Sequence, residues 1–158
     1  MLYWAYWLFF PVGHPWIFLD GVNLIIHEAG HVVFMLFGQF LYVLGGSLFQ
    51  CLIPTIFAGY FLFTKQYFSA NFCLFWMGDS AINVSEYIKD ARAMALPLLG
   101  GDSSGHDWHW MLSTLNLLPQ DLMIGNVVWS WGSICILASI GIGLYLIIFD
   151  YIKLAYSE

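Results

Sequence analysis

The densest chemistry in this sequence is the run His27-Glu28-Ala29-Gly30-His31. On a helix, residues four apart lie one turn apart on the same face, so the HExxH spacing aims two imidazoles at one point in space. Neutral imidazoles are good Zn²⁺ ligands. The intervening Glu28, about 100° round the helix from His27, can reach a water held by the metal and act as its general base. A catalytic zinc site takes three protein ligands and keeps one position open. The pair therefore needs one more His, Asp or Glu, and the candidates are Asp79, Asp90, His106, Asp107 and His109. His106 and Asp107 follow a Gly-containing stretch and open a short helix, so they can be carried back over the metal-binding helix. One of these two is expected to bind, and the spacing does not choose between them. The other, or Asp79 or Asp90, is then available to orient a ligand imidazole. His109, about one helical turn beyond His106, is a further candidate.

The motif sits in residues 16–37, a stretch apolar enough for lipid that nevertheless carries Asp20, Asn23, His27, Glu28 and His31. Ionisable groups at membrane depth cost roughly 2.5 to 3.5 kcal/mol each on insertion scales, so they mark functional sites. Asp20, Asn23, His27 and His31 recur at spacings of three, four and four, which makes one polar stripe turned away from lipid. Histidines that only glued helices together would not require the Glu between them.

The whole chain shares this apolar character. It is 61% hydrophobic, 20% aromatic and 9% charged, with a mean hydropathy of +0.77, far outside the range of water-soluble domains. The expected fold is all-α, a polytopic membrane helix bundle of about four transmembrane helices in a single domain over residues 1–158. An N-terminal aromatic helix, interfacial or broken, precedes them. At about 20 residues per crossing, little is left for a soluble appendage. The net charge of −6 and the four scattered cations Lys65, Lys89, Arg92 and Lys153 argue against nucleic acid as a partner. Cys51, Cys73 and Cys135 are odd in number and lie in apolar runs, so neither a disulfide framework nor a second metal site is expected. No basic segment precedes the first apolar run, so no cleavable signal peptide is expected. With four crossings the cations divide evenly between the two sides and set no orientation.

Residues 2–10 hold six aromatics before Pro11 and Pro15 break the run, and His14 between them reads as an interfacial loop residue. Residues 41–63 form a second span, whose Gly45-Gly46-Ser47 suits close packing against the metal helix as an antiparallel hairpin. Pro54 frees the carbonyl of Gln50, which is either an ordinary kink or backbone lining a cavity. Residues 66–88 form a third span with a second polar stripe, Asp79, Asn83, Glu86 and Asp90, whose last two members fit a helix end leaving the membrane. Residues 93–107 are the longest connection, and Asp107 or Ser104 is the expected cap of the short helix after it. The final span is residues 122–149, with Asn126, Ser130 and Ser133 on one face and Gly141 and Gly143 for close packing.

With these residues in view the chain resembles the site-2 protease family of intramembrane zinc metallopeptidases. The resemblance is carried by His27-Glu28-Ala29-Gly30-His31, by Gly45-Gly46-Ser47 with Gln50 and Pro54, and by Ser104-Gly105-His106-Asp107-Trp108, and it covers about residues 17–118. The last run is similar to compact bacterial members without a PDZ domain. No Asn-Pro-Asp-Gly or Leu-Asp-Gly ligand sequence of the family follows the HExxH run. The resemblance implies hydrolysis of membrane-protein or peptide substrates with Zn²⁺ as cofactor, in a multi-pass protein of the bacterial inner membrane. A separate recruiting or regulatory subunit would replace the missing domain. An extended substrate strand would pair near Gln50 and Pro54. Two other classes compete. A di-iron membrane oxygenase needs roughly eight ligands for two octahedral sites, and five His do not supply them. A non-catalytic metal-binding protein is either a pseudoprotease or a carrier, and a carrier would favour several weak sites over one tight clamp.

Overall fold

The protein, described here from a computed structural model over residues 18–96 and 105–155, is an all-α bundle. Helix α1 spans Phe18–Phe34 and tightens into a 3₁₀ turn at Met35–Phe37. Gly38 then reverses the chain with a φ of +90°, which glycine adopts without a steric cost. Helix α2 runs over Gln39–Phe63 and α3 over Tyr67–Lys89. The short α4, Asp107–Thr114, precedes a 3₁₀ turn at Leu118–Gln120 and the long α5, Asp121–Ala155. Among the described residues, three stretches are long and apolar enough to cross a membrane: Phe18–Phe37, Gln39–Phe63 and Leu118–Lys153. The expected third span is a helix, α3, 23 residues long, but it is less apolar than these three. Its hydropathy is lowered by Asn71, Asp79, Ser80 and Ser85, all of which are buried inside the bundle.

Lipid tails are as apolar as the helices, so helix pairs in a membrane need close backbone contact or hydrogen bonds to hold together. Both occur. A Cβ at Gly30 of α1 would overlap the Gly45 carbonyl oxygen of α2, and one at Gly45 would come within 2.8 Å of the Gly30 carbonyl oxygen. In the same way, a Cβ at Gly78 of α3 or at Gly132 of α5 would lie 2.7 Å from the other's carbonyl oxygen. The glycines of α5 that pack closely are thus Gly125 and Gly132, whereas Gly141 has open space around it. The expectation for Gly141 is corrected: it lies off the face that meets α3.

Polar side chains join α3 to both α1 and α2. Asn23 of α1, fully buried, donates to Asp79 Oδ2 at 3.2 Å and accepts from Trp76 Nε1 at 2.8 Å and Ser80 Oγ at 3.1 Å. Asn83 Nδ2 donates to Asp20 Oδ1 at 3.1 Å. Gln50 of α2 donates to Asn83 Oδ1 at 3.1 Å. Gln50 and Pro54 are therefore buried on the face of α2 that meets α3, backbone included. They give an extended substrate no free backbone to pair with, which corrects that expectation. Asn126 and Ser130 turn outward, and the hydroxyls of Ser130 and Ser133 bond back to their own helix at the Asn126 and Trp129 carbonyls. That local bond satisfies a hydroxyl on a lipid-facing surface.

The apolar core lies where α3 meets the chain's second half: Val84, Ile88, Ala91 and Leu112, with Trp108, Ile124 and Val128 against them. The N-terminus of α5 is pinned there by Asp121, which accepts from Arg92 Nε at 2.7 Å and from the Leu122 N–H. The aromatic run at 2–10, His14 and Ser104 lie outside the described residues.

Candidate metal centre

Helix α1 presents Asp20, Asn23 and His27 inward, as the stripe requires, with His31 one turn further along. The His27 and His31 rings meet edge-on with centroids 4.9 Å apart. Each ring is held by a neighbour. His31 Nδ1 lies 2.9 Å from the Tyr42 carbonyl oxygen on α2. A carbonyl only accepts, so Nδ1 carries a proton, which leaves Nε2 as the nitrogen that can turn its lone pair to a metal or, when protonated, donate to a carboxylate. His27 lies against Gly46, where a Cβ would sit 2.5 Å from His27 Nε2. The small residues of α2 thus let the two backbones approach and also leave room for the ring.

Asp107 completes the cluster. Its Oδ2 lies 3.0 Å from His27 Nε2 and 3.3 Å from His31 Nε2, and one ligand atom from each of the three residues falls within 4.8 Å of the others. Metal–ligand bonds of about 2.0 to 2.1 Å in tetrahedral geometry put neighbouring ligand atoms about 3.3 Å apart. The two measured edges fit that figure, so the donor set could hold a metal ion. In the metal-free protein the same contacts are hydrogen bonds. Burial alone would raise the Asp107 carboxyl, but the bonds from His27 and His31 outweigh it and hold this carboxyl below the usual carboxylate range.

Asp107 reaches this position as the first residue of α4, docked by three contacts. Trp108 Nε1 donates to Ser47 Oγ on α2 at 3.0 Å. The Asp107 N–H donates to the Tyr87 hydroxyl on α3 at 3.0 Å. His106 supplies the third. It is the N-cap of α4, accepting the His109 N–H at Nδ1 at 3.2 Å, while its Nε2 faces Asp90 Oδ2 at 3.2 Å. With Nδ1 an acceptor, Nε2 carries the proton and donates. Burial, which lowers its basicity, keeps this ring neutral despite Asp90.

Of the sequence candidates, then, His27, His31 and Asp107 come together and His106 does not join them, because both its ring nitrogens are committed to the cap and to Asp90. The cap itself is His106, where Asp107 or Ser104 was expected. Asp90 also accepts the Ala95 and Leu96 N–H groups at 3.0 Å each, which fixes the chain after α3. Asp79 belongs to the seam with Asn23. His109 Nδ1 bonds the Ala91 carbonyl at 2.8 Å. None of these three touches the cluster. Glu28 is exposed among the described residues, beside the cluster and near enough to His31 and Tyr87 to act on both electrostatically.

Tyr87 is a site residue that the sequence reading did not single out, and Gly46 was read there for helix packing and not for the room it leaves the His27 ring. Tyr87 follows Asp79 and Asn83 at steps of four along α3, so the polar stripe continues to it. No protein-family model, curated protein or solved structure matches the chain.

Proposed function

We propose that this protein is an intramembrane zinc metallopeptidase of the site-2 protease type, hydrolysing peptide bonds of membrane-associated substrates. The observation that carries the proposal is Asp107 Oδ2 at 3.0 and 3.3 Å from the two imidazole nitrogens of an HExxH helix. Three protein ligands with the Glu of the motif alongside is the donor set of a hydrolytic zinc site, and a purely structural zinc would have four. As part of the same reading we assign the protein to the bacterial inner membrane, where a separate subunit would recruit substrate.

In this reading His27, His31 and Asp107 hold Zn²⁺, which when bound lowers the pKa of its water towards 7 and polarises the scissile carbonyl. Glu28 takes one proton from the attacking water as the new C–O bond forms. It gives that proton to the amide nitrogen as the C–N bond breaks, leaving a carboxylic acid and an amine. His106 and Asp90 keep α4 docked so that Asp107 stays over the helix.

Purified protein is expected to hold about one zinc per chain, and His27→Ala, His31→Ala and Asp107→Ala to lose it. Glu28→Gln keeps the side-chain volume but removes the base, so it should retain zinc and lose cleavage of a reporter membrane protein. Zinc retained in all three ligand variants rules out the site. Unchanged turnover in Glu28→Gln rules out the mechanism.

A further inference from the structure

Tyr87 is held over the cluster more firmly than a packing residue needs to be. Its ring lies tilted against His106 with centroids 4.4 Å apart and meets His27 edge-on at 5.8 Å. Its hydroxyl accepts the Asp107 N–H at 3.0 Å. The carboxylates of Asp107 and Glu28 both act electrostatically on that hydroxyl, so it lies near both. A tyrosine hydroxyl has one proton and accepts through its lone pairs. The Asp107 N–H occupies an accepting direction, and the O–H proton faces the Asp107 carboxylate, the acceptor that a bound metal would take over.

A hydrolytic site needs such a donor. As the water oxygen bonds to the scissile carbon, the carbonyl π pair moves onto its oxygen, and that oxygen gains a negative charge that a placed hydrogen bond stabilises. Resting on the peptidase reading above, we infer that Tyr87 is a further catalytic residue: its hydroxyl donates a hydrogen bond to the scissile carbonyl oxygen as that oxygen becomes anionic. No proton is transferred in this step. The Tyr87 proton stays on its oxygen, and the proton reaching the leaving amine is the one carried by Glu28. Asp107, held by the same hydroxyl through its N–H, keeps donor and metal ligands in register. The other donors near the cluster are committed elsewhere: His106 Nε2 to Asp90, Trp108 Nε1 to Ser47, and His31 Nδ1 to Tyr42.

The test is Tyr87→Phe, which keeps the ring against His27 and His106 and removes only the hydroxyl. Two quantities are read on the detergent-solubilised full chain: zinc affinity by chelator competition, and binding of a phosphinic pseudopeptide whose tetrahedral PO₂⁻ group mimics the anionic carbon centre. Zinc affinity should stay within about threefold of the parent, while phosphinate affinity falls about 10- to 100-fold, the worth of one hydrogen bond to a charged acceptor. Any reporter cleavage should lose kcat by about 10²- to 10³-fold with little change in KM. Zinc affinity falling in Tyr87→Phe, with phosphinate following in proportion, shows that Tyr87 only positions Asp107 and overturns the assignment. Phosphinate affinity equal to the parent's overturns it too. A parent protein that holds no zinc is a different result, since it removes the peptidase reading itself and the assignment with it.

Discussion

Gly46→Ala isolates what the approach of α1 and α2 does for the metal centre, because it adds one methyl group and no polar atom. The added Cβ would stand 2.5 Å from His27 Nε2 and 2.7 Å from both Cδ2 and Cε1, whereas ordinary contact begins at 3.4 Å. The ring must therefore retreat by about 0.9 Å, or the helices must part by a similar amount. Metal–ligand distances tolerate about 0.2 Å, so either response takes His27 out of the coordination sphere. Overpacking of this size costs about 1 to 3 kcal/mol of stability. The loss in zinc affinity should exceed the roughly 10- to 100-fold typical of an outer partner of a ligand and approach that of His27→Ala. Gly59→Ala on the same helix is the control. Its Cβ meets nothing within 4 Å, so it should be neutral or stabilising by up to about 1 kcal/mol. Zinc content after chelator competition, alongside thermal unfolding in detergent, separates the two variants. Parental zinc affinity in Gly46→Ala would refute the reasoning, since it would mean that the ring has room the structure denies it.

His106→Ala removes the cap of α4 and its tie to Asp90, so zinc should bind roughly 10- to 100-fold more weakly but still bind, with His109→Ala milder. An emptied site in His106→Ala beside a full one in Asp107→Ala would exchange their roles. Asn23→Leu strands the Trp76 N–H, the Ser80 hydroxyl and Asp79 in the bundle interior, at about 1 to 3 kcal/mol for each unsatisfied group. Its unfolding temperature should drop sharply, and an unchanged one would show that the seam does not hold α1.

The pair of imidazoles and the Glu between them were legible from spacing alone, because i and i+4 share a helix face whatever surrounds the helix. The third member of the cluster was not. His106 and Asp107 are adjacent, and what separates them is helix register: the cap residue turns its side chain back to its own helix, whereas the first helical residue turns outward. Capping preference favours Asp or Ser, which pointed the wrong way. The tertiary partner Asp90 overrides that preference by holding His106 where it caps. The helix interface followed from Gly45 and Gly46 because close approach needs small residues. The contact of Gly132 with Gly78 was missed because a glycine in a uniformly apolar span gives no sign of which face it lies on.

The polar stripe of α1 and that of α3 were read as two features, and the structure makes them one. Asp20, Asn23, Asp79, Ser80, Asn83 and Gln50 form a hydrogen-bonded seam that passes along the same helix faces into His27, Tyr87 and Asp107. In lipid a lone buried amide or carboxylate is costly, but a paired one ties helices together with a fixed rotation. Rotation matters more for the metal centre than for stability. A turn of α1 by one residue moves a side chain about 100° round the axis, which would send His27 towards lipid and bring Glu28 inward. The seam makes that rotation expensive, since each of its groups would lose its partner together. Helix α3, the least apolar of the long helices, packs against both α2 and α5, and its polar side chains are the ones that fix which face of α1 meets Asp107.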